Sequence, residues 1–115
     1  MPYKLLHNPN CSTSRKGLEL LKASGIEPQI RKYMNETERL TIEELKDIAA
    51  RLGGVSPRDF MRSKDAPAAG IDEASSDEEI FAAMAANPKL IQRPIGIKGK
   101  KAALGRPPEK LLDIT

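Results

Sequence analysis

The strongest constraint on the fold is a strand, a loop, a helix and a second strand written in close succession near the start of the chain. Tyr3 to His7 is a short run holding Leu5 and Leu6 that reads as a buried strand, and Asn8-Pro9-Asn10 stops it. Any of Ser12, Thr13 and Ser14 can cap the helix that follows, which carries Leu18 and Leu21 at helical spacing and ends at Gly25. Pro28 to Met34, with Ile30 and Tyr33, reads as a second strand. A helix between two strands makes them parallel through a right-handed crossover. The chain therefore opens as a βαβ unit, with Cys11 between the first strand and the helix.

The middle is helical. Thr41-x-x-Glu44 is a capping box opening a helix with Leu45, Ile48, Ala49 and Leu52 on one face, closed by Gly53-Gly54. Ser56-Pro57 caps a short helix, Asp65 to Asp72 is an irregular connection, and Ser76-x-x-Glu79 opens a helix that runs through Ile80 and Met84 to Asn87-Pro88. Leu90-Ile91 and Ile95-x-Ile97 read as two strands around Arg93-Pro94, with Gly99-Lys100 turning into Lys101 to Leu104. Pro107-Pro108 to Leu112 reads as a last helix with proline in its first turn. At 115 residues and 39% hydrophobic content the chain has material for one core, so a single domain over 1–115 is expected, with a helical insertion at about 40–87.

Composition excludes several function classes. A formal charge of +3, with two Tyr, two Phe and no Trp, provides neither a continuous cationic face nor a stacking platform, so no nucleic-acid partner is expected. No apolar run approaches the ~20 residues of a membrane span, and Met1 to Leu6 is too poor in apolar residues for a signal peptide. A soluble, cytoplasmic monomer is expected. One cysteine excludes an internal disulfide and a Cys-only zinc site, and one histidine excludes a transition-metal cluster, so neither a metal nor a bound cofactor is expected.

A lone cysteine in an arbitrary chain is usually a small buried hydrophobe. Cys11 stands instead where a loop meets the first turn of a helix, near unpaired N–H groups and the positive end of the helix dipole, which favour thiolate over thiol. Arg15 four residues on and His7 four residues back can add positive charge if the loop folds over the sulfur.

The run His-Asn-Pro-Asn-Cys-Ser-Thr-Ser-Arg from His7 to Arg15 resembles the active-site loop of the glutaredoxin-coupled arsenate reductase family. Phe60-Met61-Arg62, Leu90-Ile91-Gln92-Arg93-Pro94-Ile95 and Gly105-Arg106-Pro107 resemble that family's three arginine segments, in the same order, so the likeness spans nearly the whole chain. The resemblance implies an α/β, thioredoxin-like mixed sheet with a helical insertion. It implies that Cys11 is the nucleophile toward arsenic, that His7, Asn8 and Ser14 support it, and that Arg62, Arg93 and Arg106 hold the oxyanion. It also implies a cis Arg93-Pro94 bond, against a base frequency of about 5 to 6% for X-Pro bonds. Glutathione as co-substrate and glutaredoxin as protein partner follow from the same likeness. The residue types suit the chemistry: an anionic sulfur approaches an anionic metalloid only where cations offset the repulsion, and the arginine fork donates paired hydrogen bonds to a tetrahedral oxyanion.

Three alternatives compete. A tyrosine-phosphatase-like reductase separates its cysteine and arginine by five residues, whereas three lie between Cys11 and Arg15. A glutathione-dependent thiol/disulfide oxidoreductase on the same fold would not need all three arginines. A non-catalytic regulator that binds RNA polymerase and senses redox state typically uses C-x-x-C, and Cys11-Ser12-Thr13-Ser14 lacks the second thiol.

Overall fold

Four strands, β1 (Tyr3–Leu6), β2 (Gln29–Arg31), β3 (Ile95–Lys98) and β4 (Lys101–Leu104), form one sheet in the order β2-β1-β3-β4. The computed structural model describes residues 2–115; Met1, which the single-domain expectation included, lies outside them. β1 and β2 are parallel, joined through α1 (Ser12–Ala23), as the βαβ pattern predicts. β3 runs antiparallel to both β1 and β4, and Gly99, at φ +60°, makes the turn between them.

The alternation along β1 divides the interior. Tyr3 and Leu5 pack with Leu21 of α1 and Leu111 on one face, while Leu6 joins the larger cluster on the other. That cluster is built from α2 (Ile42–Arg51) and α3 (Asp77–Ala86), which contribute Leu45, Ile48, Ile80 and Met84. Each fully buried aliphatic side chain of this kind stabilises the fold by about 1.5 to 3 kcal/mol. Both expected capping boxes are formed: Thr41 with Glu44 at the start of α2, and Ser76 with Glu79 at the start of α3.

Three expectations are corrected. Leu90-Ile91 is not a strand: Asn87 caps a 3₁₀ turn over Pro88–Leu90, and Ile91 makes only a single antiparallel bridge to Met61. A two-residue apolar run carries no period that distinguishes turn from strand. The last helix is 3₁₀ over Pro108–Ile114. The cap of α1 is Cys11 itself, in extended conformation (φ −102°, ψ 124°), and Ser12 is already helical.

The register explains where the loops meet. Leu6 ends β1 opposite Arg31 at the end of β2 and opposite Ile95 at the start of β3, and Ile95 in turn faces Leu104 at the end of β4. The segments leaving β1, β2 and β4 and the segment entering β3 therefore converge at one end of the sheet. These hold Cys11, Tyr33, Arg106 and Arg93 respectively.

Candidate active site

The loop after β1 is closed by its own backbone and by one serine. The Cys11 N–H donates to the Asn8 carbonyl at 3.0 Å, and the Asn8 N–H donates to Ser14 Oγ at 3.0 Å. Ser14 Oγ also lies 2.8 Å from His7 Nδ1. The hydroxyl, which already accepts from the Asn8 N–H, donates to Nδ1 when the ring proton is on Nε2 and accepts from it when the proton is on Nδ1. His7, Asn8 and Ser14 are all buried, so each member of this network loses a partner to which water has no access if another is removed. Arg15, exposed, reaches back to the Pro9 carbonyl at 2.9 Å and braces the loop from outside.

At the N-cap, a side chain accepts hydrogen bonds from the backbone N–H groups two and three residues on. Cys11 occupies that position, its sulfur near those N–H groups although no side-chain cap hydrogen bond is formed. Burial pushes its thiol up, but the backbone N–H groups of Ser14 and Thr13, with the hydrogen bond and charge of Arg93, outweigh it and leave the thiol below its ordinary value. The charge suggested for His7 is not present at neutral pH. Burial, with the charges of Lys32 and Arg15, holds its imidazole below the usual range, so His7 acts in this site as a neutral hydrogen-bonding group.

The three arginine segments are tethered to one another in different ways. The Arg62 N–H donates to the Leu90 carbonyl at 2.7 Å and the Gln92 N–H to the Phe60 carbonyl at 2.8 Å, which laces the Arg62 segment to the one leading into Arg93. Arg93 is only 8% exposed, and its Nη1 donates to the Lys89 carbonyl at 3.3 Å. Arg106 Nε donates to the Arg93 carbonyl at 3.1 Å. Arg93-Pro94 is cis, and so is Arg106-Pro107. The Pro94 ring lies against Gly17 of α1 and against Gly105, where a Cβ would come within 3.1 Å and 2.7 Å of Pro94 Cγ. Two glycines thus let the helix that carries Cys11 approach the segment that carries Arg93.

Two site residues are missing from the sequence expectations. Asp65 pairs with Arg62 (Nε to Oδ2, 2.9 Å), so a carboxylate offsets part of the Arg62 charge, and among the arginines Arg93 is the one that acts directly on the Cys11 sulfur. Tyr33 is fully buried, and its phenol is close enough to Arg93, Cys11 and Arg62 for all three to act on its ionisation. The spacing Arg62-x-x-Asp65 is a signal for the first; nothing in the sequence distinguishes Tyr33 from an ordinary core aromatic. Among the described residues no group of three or more His, Cys, Asp or Glu side chains is placed to hold a metal ion, and no helix is long and apolar enough to cross a membrane.

The ArsC family profile matches residues 6–114. An arsenate reductase of Haemophilus influenzae is 42% identical over 113 residues, covering 96% of this chain and 96% of that protein. YfgD, an uncharacterized protein of Escherichia coli K12, is 40% identical over 114 residues, covering 96% and 94%. Among solved structures, an arsenate reductase from Vibrio cholerae superposes with a TM-score of 0.90 at 44% identity, covering 100% of this chain and 98% of that one.

Proposed function

Because this chain belongs to the ArsC family, with a thioredoxin-like fold, we propose that it reduces arsenate to arsenite with Cys11 as nucleophile, glutathione as co-substrate and glutaredoxin as the protein that resets it. The observation that carries this reading is the juxtaposition at Cys11: a thiol lowered by helix N–H groups and by the cationic Arg93, whose carbonyl in turn receives Arg106 Nε.

The steps balance. Cys11 thiolate attacks arsenic(V) and an oxygen ligand leaves as water after taking up a proton, forming an S–As bond. Glutathione thiolate then attacks the Cys11 sulfur. The S–As electron pair stays on arsenic, which leaves as arsenic(III), and Cys11 remains in a mixed disulfide with glutathione. Glutaredoxin thiolate takes the glutathionyl group and frees Cys11. Arg93 and Arg106 hold the oxyanion, Arg62 adds charge tempered by Asp65, and Asn8 and Ser14 hold the loop in shape.

The test is arsenate-dependent oxidation of NADPH by purified protein with glutathione, glutaredoxin and glutathione reductase. Turnover that needs all components and vanishes in Cys11→Ser supports the reading. No arsenate turnover beside brisk reduction of a glutathione mixed disulfide would replace it with thiol/disulfide exchange.

A further inference from the structure

Two buried polar atoms at this site have no hydrogen-bond partner among the described residues: Tyr33 Oη and Arg93 Nε. Native interiors rarely leave such groups unpaired, and an exception calls for a reason. Tyr33 is 0% exposed and stands two residues beyond Arg31, the β2 residue in register with the end of β1, so the fold brings it to the end of the sheet where Cys11 and Arg93 meet. Both orphan atoms therefore belong to one cluster.

We infer that Tyr33 is the positioning residue of Arg93 in the oxyanion-bound site: its phenol oxygen accepts the Arg93 Nε–H, and the rest of the arginine fork is left to face Cys11 and the oxyanion. The inference rests on the oxyanion reading of the Cys11 site. The phenol is suited to the role. Burial pushes it up to about 12, against the nearby charge of Arg93 that acts to lower it, so it remains neutral at any working pH. A fixed acceptor behind Nε also selects one orientation of a planar group that can otherwise swing.

The experiment compares wild type, Tyr33→Phe, Arg93→Ala and the double variant. The readouts are thermal midpoint, the arsenate concentration that half-protects Cys11 from iodoacetamide, and kcat and KM for arsenate. Tyr33→Phe keeps the ring and removes an oxygen that is unpaired without ligand, so the midpoint should stay or rise. Half-protection should need about tenfold more arsenate, the loss expected for one hydrogen bond to a charged group. The change should fall mainly on KM, and it should vanish in the Arg93→Ala background, because Tyr33 acts through Arg93. Unchanged protection in Tyr33→Phe, with wild type protected, overturns the role of Tyr33 and leaves the arsenate reading standing. A lowered midpoint with an equal loss in the Arg93→Ala background makes Tyr33 a packing residue. If neither arsenate nor phosphate protects wild type, the oxyanion reading fails and the inference falls with it.

Discussion

Arg93→Ala separates oxyanion chemistry from general thiol chemistry. The side chain supplies Cys11 with both a hydrogen bond and a charge, while its hydrogen bonds to the rest of the fold are few: one 3.3 Å bond to Lys89 O and an unpaired Nε. Its carbonyl, which receives Arg106 Nε, survives truncation. The variant should therefore fold. Removing one partner of a desolvated charge pair costs about 2 to 5 kcal/mol, which at 1.4 kcal/mol per decade is a loss of about thirtyfold to several thousandfold in kcat/KM for arsenate. Arg93→Lys restores a charge without the fork and should recover only part of it. The coupled NADPH assay reads the arsenate arm. The mixed disulfide of glutathione and hydroxyethanethiol presents no tetrahedral oxyanion to the arginines, so its reduction should change far less. Arsenate kcat/KM within threefold of wild type in Arg93→Ala would refute the assignment of Arg93 to the oxyanion.

The iodoacetamide reaction of Cys11 should inflect below the ordinary thiol value of about 8.5; an inflection at or above it would remove the activated thiolate. A thiol lowered in the folded state stabilises the protein fully above the unfolded value and loses that contribution as pH falls through the folded one, so the stability gap between wild type and Cys11→Ser should widen with rising pH over that window. In Gly17→Ala the new Cβ would meet Leu111 Cδ1 at 2.6 Å and Pro94 Cγ at 3.1 Å, and such overpacking should cost about 1 to 3 kcal/mol in denaturant titration. Ser14→Ala strips the Asn8 N–H and His7 Nδ1 of a buried partner and should also cost about 1 to 3 kcal/mol; a neutral result would mean that this network does not hold the loop.

Much of the fold is legible in the sequence. The Asn-Pro-Asn stop, the helix after Cys11, the two capping boxes and the Gly99 turn each follow from interactions within a few residues, and all are formed. The arginine segments stood out through family resemblance alone, since an isolated arginine in a basic chain carries no mark of its role. The tertiary structure decided what depends on distant partners. It made Cys11 the cap in place of a neighbouring hydroxyl, turned Leu90-Ile91 into a 3₁₀ turn and a single bridge, paired Arg62 with Asp65, and buried His7 near Lys32 and Arg15 so that it stays neutral. It also carried Tyr33 from an unremarkable stretch after β2 to the side of Arg93. Capping and turn formation are set by backbone hydrogen bonds spanning three or four positions, which a sequence displays directly. Burial, ionisation and the pairing of side chains depend on which strand ends meet, and that is decided only when the sheet closes in its β2-β1-β3-β4 order.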